Sequence, residues 1–215
     1  NMITYYREPI HLVRARGSYV WDDQGNRYLD AVGGIVSISV GHNHPKIKEK
    51  MKKMLDEDSI QHTTSLYLSE YMPELAEKLE EVAPGEDGEL SKCYFTNSGS
   101  EANEMAVLTA RMSTGSQTII ALKHGYHGGT SLPLNMCGHS TWKFNHNPSS
   151  AVTHANAAYC YRCPFNKAKD SCNMECAEDV KNVIETTTSG KVAAVIVEPI
   201  LGVGGFLDPD PAYHK

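Results

Sequence analysis

Lys92-Cys93-Tyr94-Phe95-Thr96-Asn97-Ser98-Gly99-Ser100-Glu101-Ala102-Asn103 passes from a β-rich run through a glycine turn into a helix. Lys92–Thr96 reads as a strand. Glu101–Ser113 reads as a helix whose buried side carries Ala102, Met105, Ala106, Thr109 and Met112. The same alternation continues downstream. Gln117–Leu122 reads as a strand, Glu175–Thr187 as a helix and Val192–Val197 as a continuous apolar strand. Strands without polar alternation, separated by helices, are buried on both faces, so an α/β domain with a mostly parallel sheet is expected.

Upstream, Ser18-Tyr19-Val20-Trp21 and Arg27-Tyr28-Leu29-Asp30 flank Asp22-Asp23-Gln24-Gly25-Asn26 and predict a hairpin. Gly33-Gly34 break that pattern. Pro45 suits the opening of a helix over Lys46–Asp58, with Ile47, Met51, Met54 and Leu55 on one face. Ser69 is the expected N-cap of a helix reaching Val82, with Pro73 in its first turn and Met72, Leu75, Ala76 and Leu79 on its apolar face. Residues 139–173 read as irregular and polar, and no internal repeat is present. The expected division is an N-terminal segment with the hairpin (1–45) and the first part of a large sheet domain (46–215), with a cysteine-rich insert at about 159–176.

The chain has 215 residues, 40% apolar and 21% charged, which sets it apart from disordered and fibrous sequences. Its net charge of −6 comes without a basic block, so no nucleic-acid partner is expected. The apolar run Val192–Val197 is far short of the roughly 20 residues of a membrane-spanning helix, and no membrane partner is expected. Asn1–Glu8 lacks the apolar stretch of a signal peptide, which makes the cytosol the expected compartment.

Three segments carry chemistry. At Ser98-Gly99-Ser100-Glu101 the first-turn amides and the helix dipole suit a phosphate group. A capped helix start without a ligand fits the same letters, with Ser98 or Ser100 as the cap and Glu101 in the first turn. Gly125-Tyr126-His127-Gly128-Gly129 follows a strand and can present an aromatic ring to a flat ligand, or make an ordinary turn. Glu198 in Val197-Glu198-Pro199-Ile200-Leu201-Gly202-Val203-Gly204-Gly205 brings a carboxylate to the same sheet edge. That segment fails as a dinucleotide fingerprint, because Leu207 holds the third glycine position, and a nicotinamide oxidoreductase is disfavoured.

Together with Gly41-His42-Asn43-His44-Pro45, Tyr28-Leu29-Asp30 and Gly33-Gly34-Ile35-Val36, these motifs occur in an order that closely resembles the class III aminotransferases. These are pyridoxal-phosphate enzymes of fold type I. Within the class the chain is most similar to type 2 alanine–glyoxylate aminotransferases and microbial relatives, including 4-aminobutyrate aminotransferases. The resemblance implies the N-terminal segment and the first part of the large sheet domain of that fold. It implies pyridoxal 5'-phosphate as cofactor, held at Ser98, Gly99 and Ser100, with Tyr126 stacked on its ring and His127 beside it as a structural histidine. Glu198 matches a carboxylate near the cofactor that pairs with an arginine in relatives and gates the substrate carboxylate. Ile35 and Tyr67 are candidates for the substrate entrance, against ordinary packing.

The implied activity moves an amino group from an amino acid or omega-amino donor to a keto acid or aldehyde such as glyoxylate or pyruvate. The full-length protein is expected to be a homodimer. In the family the ring-nitrogen aspartate and the Schiff-base lysine lie downstream of the Glu198 motif, and no lysine here occupies the matching position. The chain is therefore expected to be the N-terminal part of a longer enzyme, or a truncated gene product, and inactive alone. Gly129 stands where many acetylornithine and 4-aminobutyrate enzymes carry a substrate-binding arginine, which favours the alanine–glyoxylate group. Leu201 replaces a family glutamine.

The second reading is a non-catalytic module derived from that fold. Cys160-x2-Cys163-x8-Cys172-x3-Cys176 supplies four sulfurs at spacings that suit either a zinc site or four free thiols. The close pairs His42/His44 and His124/His127 sit inside family motifs and are not read as metal ligands.

Overall fold

The computed structural model describes residues 6–64, 66–85, 89–144 and 151–214. Contacts gather the chain into two compact units, residues 1–92 and 93–215, so the hairpin and the helix after Pro45 share one unit.

In the first unit, β1 (Leu12–Arg16), β2 (Tyr19–Asp22) and β3 (Arg27–Leu29) form an antiparallel meander. The predicted hairpin is present, with Val20 opposite Tyr28. Asp22 ends β2 and fixes the turn: its carboxylate accepts from the Gln24 and Asn26 amides, the Asn26 side chain and the Tyr28 hydroxyl at 2.8–3.0 Å. The short α1 (Gly33–Val36) is kinked, because Gly34 and Ile35 are left-handed. Ile35 at φ 60° is a β-branched residue where glycine is normally found. It is exposed, as is Tyr67.

α2 (Pro45–Asp56) begins at the predicted proline, and α3 (Tyr71–Val82) ends where expected. Ser69 does not cap α3: Glu70 holds that place without a side-chain cap. The apolar rows Ile47-Met51-Leu55 and Met72-Leu75-Leu79 lie on their helices as the spacing predicts, yet all six residues are exposed.

The second unit is built on the parallel sheet order β5-β4-β6, with β4 (Ile119–Leu122) central, β5 (Val152–Ala155) and β6 (Ala194–Ile196). All four residues of β4 are buried. Ile120 and Leu122 face Ala155, Ala157 and Val183 on one side; Ile119 and Ala121 face Val107 and Met136 on the other. At about 1.5–3 kcal/mol for each large aliphatic side chain fully removed from water, this four-residue strand anchors the unit. α4 (Gly99–Thr114) and α5 (Ser131–Met136) supply the second side, and α6 (Glu175–Thr187) the first.

Four further expectations are corrected. The run Val192–Val197 is not buried on both faces: β6 spans only Ala194–Ile196, and Val195 and Val197 are exposed. Lys92–Thr96 forms no strand, and Tyr94 is exposed. No ladder neighbour is present for it among the described residues, and an apolar letter pattern alone does not make a strand. Residues 139–173 are not wholly irregular, since β5 pairs along its length with β4. The buried side of α4 is not the predicted row: Ala102, Ala106, Thr109 and Met112 are exposed, while Val107 is buried and Asn103 and Glu104 are half-buried. Polar residues occupy that face because they bind the loop that follows β4.

Candidate active site

The start of α4 is held by reciprocal capping. Ser98 Oγ accepts the Glu101 amide at 3.2 Å, and Glu101 Oε2 accepts the Asn97 amide at 2.7 Å. The Ala102 amide goes to the Ser98 carbonyl. The amides of Gly99 and Ser100 precede the first intrahelical bond and have no partner among the described residues. A Cβ built on Gly99 would meet nothing within 4 Å, so that side of the residue is open. The cap reading and the phosphate reading are thus compatible. Because Glu101 neutralises part of the helix-end potential, an anion there would depend on two amides and the Ser100 hydroxyl more than on the dipole.

Ser100 also reaches across to the glycine loop. Its Oγ accepts the Gly129 amide at 3.1 Å, leaving its proton free to be donated. Gly128 lies at φ 130°, and a Cβ there would collide with Ser100 Oγ and stand 3.0 Å from Pro133 Cβ. Only glycine permits this approach of loop to helix.

The loop is pinned from every neighbouring element. Asn103 Nδ2 donates to the His127 carbonyl at 2.7 Å, and the His127 amide donates to Cys137 Sγ at 3.3 Å. The Gly138 amide donates to the Gly125 carbonyl at 2.9 Å. Glu198 is the central fastening: Oε1 accepts the Tyr126 amide at 2.6 Å and Oε2 accepts the Gly202 amide at 2.9 Å. The ring of Tyr126 leans on Trp142, with centroids 4.9 Å apart and planes at 56°.

His127 is 6% exposed, and its Nε2 is buried without a hydrogen-bond partner. Burial is the main reason its pKa lies below the ordinary 6.5; the Glu198 charge opposes this and His154 reinforces it. His154 is lowered chiefly by burial too, although Nε2 lies 3.1 Å from the Met136 carbonyl oxygen. Both therefore stay neutral where an unfolded chain would take up protons, and stability falls as pH drops below about 6.5. Each histidine contributes a slope of at most about 1.4 kcal/mol per pH unit. Urea unfolding at pH about 7.5 and about 5.5 should show the lower value at acid pH, with a smaller difference in His154→Gln; equal stabilities would contradict the buried neutral pair.

The structure thus places Ser98, Gly99 and Ser100 at the start of α4, beside the loop of Tyr126 and His127 that Ser100, Asn103 and Glu198 fasten. Asn103 and Trp142 are the residues sequence reasoning missed. Asn103 has a legible signal, since it lies three residues after Ser100 on the same helical face. Trp142 has none, because it sits on a short turn, Ser140–Trp142, within a stretch that reads as irregular.

The four clustered cysteines all line one cavity of about 50 Å³, together with Tyr159 and Tyr213. They do not form a coordination shell. Among the described residues no three His, Cys, Asp or Glu side chains make a group able to hold a metal ion, so the zinc reading has no support here.

The class-III aminotransferase family model matches residues 4–215. The chain is 38% identical over 213 residues to alanine–glyoxylate aminotransferase 2 homolog 2, mitochondrial, of Arabidopsis thaliana, covering 99% of this chain and 43% of the plant protein. It is 36% identical to the acetylornithine aminotransferase of Methanopyrus kandleri, covering 100% of this chain and 49% of that protein. Among solved structures it is similar to the omega transaminase of Pseudomonas jessenii in complex with PMP, at 27% identity and a TM-score of 0.86, covering 99% of this chain and 50% of that one. The chain belongs to the class-III aminotransferase family and has the α/β fold of its transaminases. It spans about half the length of the relatives it matches.

Proposed function

We propose that this chain forms the coenzyme-cradling part of a pyridoxal-phosphate aminotransferase, with an amino acid or omega-amino donor and a keto acid or aldehyde acceptor as substrates. The observation that carries the reading is the pair of unpartnered amides at Gly99 and Ser100, with the Ser100 hydroxyl beside them and an aromatic loop locked onto the same helix end. When bound, the coenzyme supplies an electron sink that lets a carbon next to nitrogen lose its proton.

The chain's own residues have positioning roles. Gly99 and Ser100 donate to the phosphate, while Ser98 holds the helix end open for it. Tyr126 offers its ring as a platform, backed by Trp142. Glu198 keeps the Tyr126 amide fixed and carries negative charge beside His127. His127 lies in the same loop, with its Nε2 buried and without a hydrogen-bond partner. No lysine stands in 96–103, 125–129 or 197–205, so the covalent amine carrier lies outside these segments.

Gly129 in place of an arginine supports an alanine–glyoxylate type of substrate pair over an acetylornithine one. The exposed apolar rows of α2 and α3 support a homodimer, in which they are covered. The six unpaired cysteines support a reducing compartment such as the cytosol.

The test is turnover by the intact protein. With pyridoxal phosphate, alanine and glyoxylate it should form pyruvate and glycine in equal amounts. Ser100→Ala should weaken the coenzyme by roughly tenfold, the loss of one charge-assisted hydrogen bond. No amino transfer with any donor and acceptor pair, or undiminished coenzyme affinity in Ser100→Ala, contradicts the proposal.

A further inference from the structure

The thiol-lined cavity belongs to none of the machinery above. Cys160 and Cys163 reach it from the turn Cys160–Arg162 and its end; Cys172 and Cys176 reach it from the entry into α6. None of the four is in a disulfide. Residues of two separate segments, Cys160 and Cys163 on one and Cys172 and Cys176 on the other, line this space of about 50 Å³ together with Lys167 and Lys169.

The four thiols are not equivalent. Cys176 is 8% exposed, and burial followed by the neighbouring Cys172 pushes its thiol pKa up, so it stays protonated and slow to react. Cys172 is half-buried and sits in a polar setting. The Met174 amide donates to its sulfur at 3.3 Å, and its own S–H donates to Glu175 Oε2 at 3.4 Å. Lys167 Nζ stands 3.3 Å from Glu175 Oε1, bringing a cation to the same corner. The amide donor aimed at its sulfur sets Cys172 apart from the buried Cys176.

We propose that this cavity is an oxidation site, in which a hydroperoxide oxidises Cys172 first and one of the other three cavity thiols closes a disulfide with it. In the first step the Cys172 sulfur attacks one peroxide oxygen and the O–O bond breaks. The thiol proton leaves with the departing oxygen as water, and Cys172 becomes a sulfenic acid. In the second step Cys160, Cys163 or Cys176 attacks that sulfur, the S–O bond breaks, and the second thiol proton leaves with the hydroxyl as water. Two thiols are oxidised by two electrons, and one hydrogen peroxide is reduced to two waters. The bridge ties residues at the start of α6, or the turn at Cys160–Cys163, to the helix whose Val180, Val183 and Ile184 pack on the sheet.

The experiment exposes the reduced, purified protein to a small molar excess of hydrogen peroxide, then counts thiols and maps linked peptides. Two of the six thiols should disappear, every linked peptide should contain Cys172, and dithiothreitol should restore all six. Cys172→Ser should lose thiols roughly tenfold more slowly, whereas Cys93→Ser should behave as the unaltered protein. The proposal is overturned by an unchanged thiol count, a bridge that omits Cys172, a stable sulfinic acid with no bridge, or Cys172→Ser oxidising at the original rate. Because the peptide map is made on the unaltered protein, it decides the matter even if the variant folds poorly.

Discussion

Glu198→Ala should lower the stability of the second unit by about 3 kcal/mol, since each hydrogen bond to a charged group contributes roughly 1.5–3 kcal/mol and two are lost. The carboxylate joins backbone amides at Tyr126 and Gly202, at 2.6 and 2.9 Å, and among the described residues no other hydrogen bond to the loop spans as much sequence. Removing it leaves both N–H groups without an acceptor beside a buried strand end. Glu198→Gln is the informative companion. It keeps one acceptor oxygen but turns an NH2 group toward the other amide, so about half the loss is expected. Urea unfolding of the coenzyme-free protein measures both. A change below about 0.5 kcal/mol in Glu198→Ala would show that the clip is not what holds the loop.

Gly138→Ala should be at least as damaging, by about 3 kcal/mol or more. The added Cβ would stand 2.7 Å from both the His124 amide nitrogen and Lys123 Cα and overlap the Leu122 carbonyl. These are backbone atoms at the end of β4, which is buried throughout and cannot give way. The shift would also break the Gly138–Gly125 hydrogen bond that closes the loop below Tyr126. Gly99→Ala is the control, because its Cβ would meet nothing and its backbone is ordinary helix. It should change stability by less than about 0.5 kcal/mol. Equal losses in the two variants, read as thermal midpoints, would contradict this account.

The elements legible in the sequence were those whose patterns are local and strong. Pro45 with a four-residue apolar spacing defined α2, the Asp/Gly/Asn cluster defined the β2–β3 turn, and the strand read over Gln117–Leu122 contains β4. What escaped depends on partners distant in sequence. β5 carries Thr153 and His154, and becomes a strand only by pairing with β4. The Lys92–Thr96 run has β-like letters but no ladder. The buried face of α4 was misread because Asn103 and Glu104 earn their burial by hydrogen bonds to His127 and Thr130, which hydrophobic periodicity does not register. The candidate site was legible as a set of motifs in order. Its geometry was not: nothing in the letters shows Glu198 accepting two amides, or Trp142 against Tyr126.

The most direct test of the coenzyme cradle follows individual backbone amides by NMR while the protein is titrated with pyridoxal phosphate and, separately, with pyridoxal. The account predicts that the Gly99 and Ser100 resonances are among the most shifted with pyridoxal phosphate and barely move with pyridoxal, which lacks the anionic group. Gly99 and Ser100 amides that stay in place while pyridoxal phosphate binds elsewhere would contradict it.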